Sequence, residues 1–153
     1  DGGNATISNS TIAFNTTNGL LYGSAVFLTT TADLESTIVI DNLQIGVQTQ
    51  ENDIGGVSGA TLTGARNLVG FSLLDLPGDT LRIDPLLQPL AYNGGPTRTH
   101  ALLVGSAALD AGNDVVGLSN DQRGVGHPRT IGSAPDIGAF ELDPDAIFAN
   151  GFD

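Results

Sequence analysis

Residues of the three kinds used in hydrolytic catalysis lie close together in the segment NGGPTRTHALLVGSAALD, residues 93–110. They are His100, Ser106 and Asp110, which could supply a base, a nucleophile and an orienting carboxylate. Such triads are usually assembled from separate elements of a fold, and Ser106 does not lie in a G-x-S-x-G turn. We therefore favour a scaffold role, in which Ser106 caps a turn, Asp110 closes it and His100 packs or hydrogen-bonds nearby.

Three acidic residues, Asp33, Glu35 and Asp41, form a second candidate site. Residues two apart on a strand point the same way, so Asp33 and Glu35 could act as acid and base or hold a cation. Cleavage of a polysaccharide would also need a basic group nearby. The chain has no lysine, and Arg66 would have to come from a neighbouring coil. We favour a solvated acidic face over an active site here.

The segment DAGNDVVGLSNDQRG offers hard oxygen ligands that suit calcium, with Asp110, Asp114 and Asp121 as candidates. Its spacing fits neither the EF-hand loop nor the glycine-rich repeat of calcium-binding β-rolls. Asp and Asn in loops commonly serve turns, so we predict no cofactor and leave calcium as the alternative. The two histidines are too few for a zinc site without carboxylate ligands.

The motif DQRG contains Arg123, whose planar guanidinium can bind a carboxylate through two hydrogen bonds. We expect Arg123 to bridge Asp136 or Glu141 and so to fix the last part of the chain. Recognition of a carboxylate or sugar acid is the functional alternative.

An internal repeat indicates how these residues are positioned. The shared Ser-Thr-Ile of NSTIAFN and ESTIVID begins at Ser10 and again at Ser36, a spacing of 26 residues. The same step reaches Leu62 in another β-type stretch, and DTLRID follows at residues 79–84. Repeats of this length predict a β-solenoid, because one repeat cannot bury its own apolar face. A β-sandwich is the alternative.

Alternation along DLESTIVID and DTLRID predicts which side chains face inward. The inward set is Leu34, Ser36, Ile38 and Ile40 in the first segment, with Leu81 and Ile83 in the second. The outward set is Asp33, Glu35, Thr37, Val39 and Asp41, with Thr80, Arg82 and Asp84.

Composition excludes several classes of partner. The net charge is -12 and all five basic residues are arginine, so no basic patch for nucleic acid exists. There is no cysteine for disulfides or thiolate metal sites. The longest nearly apolar stretch, residues 101–109, is too short to cross a bilayer.

Several short motifs follow one another along residues 84–141. Their residues are Asp84, Pro85, Asn93, Gly94, Gly95, Pro96, His100, Ser106, Asp110, Gly112, Asp121, Arg123, Gly124, Asp136, Gly138 and Glu141. In this order they resemble the C-terminal segment of secreted bacterial right-handed parallel β-helix repeat proteins, the segment called a choice-of-anchor Q domain. This chain departs from the family's pattern at Val104 and Ala107, where proline is usual, and at Pro135, where cysteine is common. The final DPDAIFANGFD resembles a short tail of exported proteobacterial proteins.

The resemblance implies an all-β, right-handed parallel β-helix with an irregular C-terminal cap and no known catalytic residues. We expect solenoid coils over residues 1–90, a cap over 91–141 and a tail over 142–153. The predicted protein is a secreted or cell-surface structural or adhesive element. It would self-associate end to end into filaments or be continued by upstream coils. The alternatives are an extracellular polysaccharide lyase or hydrolase and a carbohydrate-binding module.

Overall fold

Short strands form the regular structure of the first part of the chain, in a computed structural model that describes residues 3–18, 25–45 and 50–145. In chain order they are β1 (Ala5–Ser8), β2 (Thr11–Ala13), β3 (Thr16–Thr17), β4 (Val26–Leu28), β5 (Thr31–Glu35), β6 (Ile38–Ile40), β7 (Leu43–Gln44), β8 (Gln50–Glu51), β9 (Ile54–Gly56), β10 (Thr61–Ala65) and β11 (Leu68–Val69). Ser, Thr, Asn and Gly separate them, which keeps each strand short. The expected all-β architecture is confirmed.

The strands belong to three passes of the chain that lie side by side. The first pass contains β1 to β3, the second β4 to β7 and the third β8 to β11. Corresponding strands pair in parallel, in the orders β1-β5-β10, β2-β6-β11 and β4-β9. β3 pairs in parallel with β7, whereas β8 pairs antiparallel with β7. The predicted stack of parallel strands is therefore present.

The spacing between passes differs from the 26 residues predicted. Ser10 lies against Thr37, 27 residues later, and Thr37 lies against Asn67 after a further 30. The sequence repeat had instead aligned Ser10 with Ser36, and it placed Leu62 one step further on. Leu62 in fact pairs with Ala32. The prediction was wrong because the passes differ in length, so a constant step cannot follow them.

The predicted fourth repeat, residues 79–84, makes one isolated parallel bridge rather than a strand, between Leu81 and Leu68. Ser72 makes a similar bridge to Ile54. Leu81 packs with Ile38 and Ile40 in an apolar cluster outside the core enclosed by the passes, and Ile83 is 55% exposed, so the inward assignment of both Leu81 and Ile83 is wrong. These residues cover the free edge of the third pass at β9 and β11 without forming another full pass.

Left-handed corners recur at matching positions of successive passes. Asn9, Ser36 and Arg66 occupy equivalent positions after β1, β5 and β10, with φ angles of 47°, 49° and 56°. Phe14 and Asp41 occupy a second pair of equivalent positions, with φ angles of 58° and 54°. A residue at positive φ turns the chain sharply, so each of these corners ends one strand and redirects the next.

The corner at Ser36 also changes which side chains face the interior. Leu34 and Val39 both belong to the core enclosed by the passes. Ile38 and Ile40 lie on the opposite face of β6, in a second apolar cluster. The predicted grouping of Leu34 with Ile38 and Ile40 is therefore wrong. Continuous alternation fails because Ser36 is a turn residue and not part of a strand.

Buried polar side chains connect neighbouring passes. The Asn67 side chain donates to Leu34 O at 2.7 Å and accepts from the Thr37 N–H at 3.0 Å. Asn42 donates to Ile12 O at 2.9 Å and accepts from the Asn15 N–H at 3.1 Å. Each side chain replaces strand hydrogen bonds that the corner interrupts, so these buried backbone groups keep partners.

Residues 102–139, which we call the flank segment, pack against the outer face of the β2-β6-β11 sheet. Leu102, Ala108 and Ile137 form one apolar cluster with Ile38 and Ile40, and Leu68 of the third pass belongs to it. The segment expected to cap the coils thus makes these apolar contacts along their side. As a result β6 is buried on both faces, by the interior and by the flank segment.

The end of the third pass is covered by other residues. Leu74 and Leu76 are partly buried against the interior core. Within the described ranges, no helix is long and apolar enough to cross a bilayer.

Candidate functional site

His100, Ser106 and Asp110 each bind a different part of the backbone. Ser106 donates from Oγ to Pro85 O at 2.6 Å and accepts from the Ala108 N–H at 3.1 Å. His100 Nδ1 lies 2.8 Å from Gln88 O. Asp110 Oδ1 accepts from the backbone N–H groups of residues 133 and 134, at 2.6 and 3.1 Å. These bonds fix loops and do not assemble a nucleophile with its base.

Asp33 and Glu35 lie on β5 and are both half-buried. Asp33 Oδ1 accepts from Thr63 Oγ1 at 2.8 Å, across to β10. Glu35 Oε2 accepts from Asn113 Nδ2 at 3.0 Å, which ties it to the flank segment. Arg66 Nε lies 4.0 Å from Asp79 Oδ2, so the guanidinium pairs with Asp79 and not with Asp33 or Glu35.

Asp41 lies beside an open pocket of about 380 Å³ whose lining includes Glu51, Arg82 and Asp84. Partial burial raises the pKa of Asp41, and the negative charges of Glu51, Asp53 and Asp84 raise it further. Asp53 is fully buried, and both of its carboxylate oxygens accept hydrogen bonds, from Asn42 and from the Phe71 N–H. The pocket lining is therefore mainly acidic, and the buried Asp53 nearby is already engaged in hydrogen bonds.

The calcium candidates do not converge. Asp114 Oδ1 accepts from the N–H groups of Gly117 and Leu118, at 2.9 and 3.1 Å, which closes a local turn. Asp121 binds Arg123. Among residues 3–18, 25–45 and 50–145, no three acidic or histidine side chains form a group that could hold a metal ion.

Arg123 binds Asp121, two residues earlier, rather than the carboxylate of Asp136 or Glu141. Its Nη2 lies 2.7 Å and its Nε 2.9 Å from Asp121 Oδ2. Nη2 also donates to Glu141 O at 2.5 Å, and the guanidinium lies 3.9 Å from the centre of the Phe140 ring. The expected partners were wrong, because the tight turn at residues 121–124 places the nearer acid in reach. Arg123 still holds the last part of the described chain in place, through the backbone carbonyl of Glu141.

Arg129 is the buried cation that the sequence did not single out. It is 2% exposed, donates from Nη2 to Asp136 O at 2.6 Å, and places Nη1 3.6 Å from Glu141 Oε2. Nη2 also lies 3.1 Å from Asn9 Oδ1 of the first pass. The surrounding GHPRT carries no signal for burial, so only the fold reveals this role.

Glu141 and Asp136 line a pocket of about 250 Å³ between the flank segment and residues 142–145. Glu141 accepts the N–H groups of Ile131 and Asp136, at 2.9 and 2.8 Å. Burial raises the pKa of Glu141 to about 7, although those two hydrogen bonds and Arg129 oppose the shift. Burial also raises the pKa of Asp136, whose oxygens accept from the N–H groups of Asp110 and Leu142. Both carboxyl groups organise loops.

The other motif residues between positions 84 and 141 also take structural positions. Asp84 accepts from the Leu86 N–H, and Asn93 donates to Thr99. Glycines stand at close approaches: a Cβ on Gly95 would lie 2.6 Å from Arg123 Cα, and one on Gly112 would lie 2.8 Å from Pro135 O. Positive φ is found at Gly94, Gly124 and Gly138, and Pro96 is exposed.

The first pass presents backbone acceptors on its outer side. The N–H groups of Asn9 and Phe14 donate to carbonyls of the second pass, at 2.9 and 3.4 Å. In a trans peptide the C=O points opposite to the N–H. The carbonyls of Ser8 and Ala13 therefore point away from the second pass.

Backbone donors alternate with those acceptors. The carbonyls of Ser10 and Asn15 accept from the second pass at 2.9 and 2.8 Å. By the same planarity, the N–H groups of Thr11 and Thr16 point outward. Among described strands, β1 and β2 each have one partner, so this side is an open edge. A groove of about 600 Å³ runs beside it, between residues 7–12 and residues 118–122 with Ala139.

Comparison with known proteins adds no relative: the chain matches no model of a protein family, no curated protein and no solved structure.

Proposed function

We propose that this protein is a non-enzymatic structural element, a right-handed parallel β-helix that associates through the open edge of its first pass. The observation that carries the proposal is that the polar side chains with catalytic potential are engaged in hydrogen bonds within the fold. The candidate catalytic residues Asp33, Glu35, Ser106 and Asp110 each accept or donate hydrogen bonds that hold passes or loops together. Among the described strands, β1 and β2 of the first pass each keep one edge without a strand partner, as β10 does at the opposite end.

The open edge is suited to binding another strand. A strand with unpaired N–H and C=O groups is a template for pairing with a further chain. In a β-helix the partner would be another coil, from a second copy or from an upstream part of a longer protein. A scaffold role at the cell surface or outside the cell follows from the resemblance of residues 84–141 to secreted β-helix proteins. The acidic, lysine-free composition supports solubility in that setting.

The enzymatic alternative, cleavage of an extracellular polysaccharide, makes a different prediction for the acidic pair on β5. We expect incubation of the chain with polygalacturonate, alginate or xylan, with and without added Ca²⁺, to release no new reducing ends and no unsaturated products. The reason is that Asp33 and Glu35 are occupied by Thr63 and Asn113, and Arg66 pairs elsewhere.

Variants make this experiment decisive. Cleavage that disappears in Asp33→Asn or Glu35→Gln, but persists in the exposed control Asp75→Asn, would replace the structural proposal with an enzymatic one. Retention of a polysaccharide on a column without cleavage would favour a carbohydrate-binding module.

A further inference from the structure

The open edge of the first pass is uncharged. Residues 3–18 contain no Asp, Glu, Arg, Lys or His, although the chain as a whole carries a net charge of -12. Two copies of so acidic a protein repel each other over most of their surfaces. They can meet at this edge without placing like charges opposite each other. The absence of charged side chains from this edge therefore suits contact with a second copy of the chain.

The opposite end of the stack is not available in the same way. Along the third pass, β9 is bridged at Ile54 by Ser72 and β11 at Leu68 by Leu81, whereas the outer edge of β10 has no partner among the described strands. Leu74 and Leu76 cover the interior there. A second copy that placed its first pass on this end would have to displace these residues. The first pass of one copy is thus better matched to the first pass of another.

We propose that two copies of this chain form a closed dimer by pairing their first passes about a two-fold axis. A two-fold axis perpendicular to the strands makes β1 of one copy antiparallel to β1 of the other. The outward backbone donors and acceptors of β1 then face those of β1 in the other copy, as a self-complementary interface requires. This inference rests on the proposed scaffold function and specifies its partner and geometry. It predicts an assembly that stops at two copies.

Charge substitutions at Thr6 test the proposal, because Thr6 is exposed on β1 and has an equivalent on the far edge. Thr6 and Thr63 flank Asp33 from the first and third passes in register. Thr63 also donates from Oγ1 to Asp33 Oδ1 at 2.8 Å, so urea unfolding of the Thr63 variants measures the loss of that bond separately from the change in charge. The variants are Thr6→Lys, Thr6→Asp and the matched controls Thr63→Lys and Thr63→Asp.

Sedimentation velocity of the 153-residue chain over a range of concentrations gives the result. We expect a dimer that does not grow, and a dissociation constant raised about tenfold or more by both T6K and T6D, because each places like charges across the two-fold axis. Both T63 controls should dimerise like the unmodified chain. An equimolar mixture of T6K and T6D should recover the dimer.

Three results would overturn the dimer. A chain that stays monomeric at high concentration has no such interface. Growth into filaments that T63K or T63D interrupts would indicate contact between first and third passes. Opposite effects of T6K and T6D would show that the edge meets a different surface. Each of these leaves the structural function intact if polysaccharide cleavage is absent, so the two proposals fail separately.

Discussion

At the scale of single residues, buried polar side chains stabilise the contacts between neighbouring passes, and Asn42 is the clearest example. Asn42 is fully buried and bonds to the first pass through Ile12 O, and to the third through Asp53 Oδ1 at 2.8 Å. Asn15 and Asn42 are 27 residues apart, and Asn15 Nδ2 donates a hydrogen bond to Asn42 Oδ1 at 2.9 Å. This spacing of two asparagines was the signal in the sequence for the connection between passes. Sequence reasoning missed it because it used a step of 26 residues.

Replacing Asn42 tests its importance. We expect Asn42→Ala to lower the free energy of unfolding by about 3 kcal/mol, because the buried carbonyls of Ile12 and Ile40 lose their side-chain donor and the buried Asp53 carboxylate keeps only backbone donors. The exposed Asn15→Ala should cost well under 1 kcal/mol. Urea denaturation of both variants measures the difference. Equal, small losses would show that the buried side chain is not what joins the passes.

At the scale of elements, the corners decide what the sequence could reveal. The sequence pattern identified strands at several of the right places, since β2, β6 and β10 lie within the segments expected to be extended and β5 overlaps one of them. It could not reveal the change of face at Ser36, because residues that adopt positive φ here include Phe14 and Arg66, types with no turn preference. Pattern reasoning assumes an unbroken strand, and the corner breaks it.

The corner at Arg66 supplies a second test. We expect Arg66→Gly to leave the free energy of unfolding unchanged or raise it by up to about 1 kcal/mol, because glycine adopts positive φ without strain. Its ion pair with Asp79 is exposed and contributes little. The neighbouring Ala65→Gly, inside β10, should instead lower the free energy by about 1 kcal/mol. Thermal or urea unfolding of the pair checks this, and a larger loss for R66G would contradict the strain argument.

At the scale of the whole molecule, two apolar layers share β6. The sequence predicted a stack of parallel strands, but it assigned Ile38 and Ile40 rather than Val39 to the interior and missed the layer between β6 and the flank segment. Contacts such as Ile38 with Ile137 join residues far apart in sequence, so no local pattern reports them. The resemblance pointed to a structural role for residues 84–141, and it did not show which face they would cover.

Buried carboxyl groups predict how the stability of the folded chain depends on pH. The pKa of Glu141 is raised from its ordinary value to about 7, so the folded state keeps a proton that the unfolded state releases near pH 4.5. The free energy of unfolding should therefore fall as pH rises through this window, by on the order of 3 kcal/mol for Glu141. Raised pKa values of Asp136 and Asp41 act in the same direction.

Urea unfolding at several pH values between 4.5 and 8 measures this dependence. Glu141→Gln should be less stable at low pH, because an amide cannot accept both backbone N–H groups, yet its stability should change less with pH. Asp75→Asn, at an exposed position, should follow the unmodified chain. A pH dependence that survives intact in E141Q would contradict the assignment.

The flank segment touches every pass, and this limits how the protein can change in evolution. Thr11 Oγ1 of the first pass accepts from the Ala139 N–H, Ser36 of the second accepts from the Asn113 N–H, and Leu68 of the third packs in the same layer. Solenoids readily gain or lose coils by tandem duplication, since each coil contacts only its neighbours. Here the flank segment contacts all three passes at fixed distances. A coil inserted between β2 and β11 would separate the passes, so the flank segment could no longer make all three contacts. The number of coils beside the segment is therefore fixed, and new coils can be added only beyond the first pass.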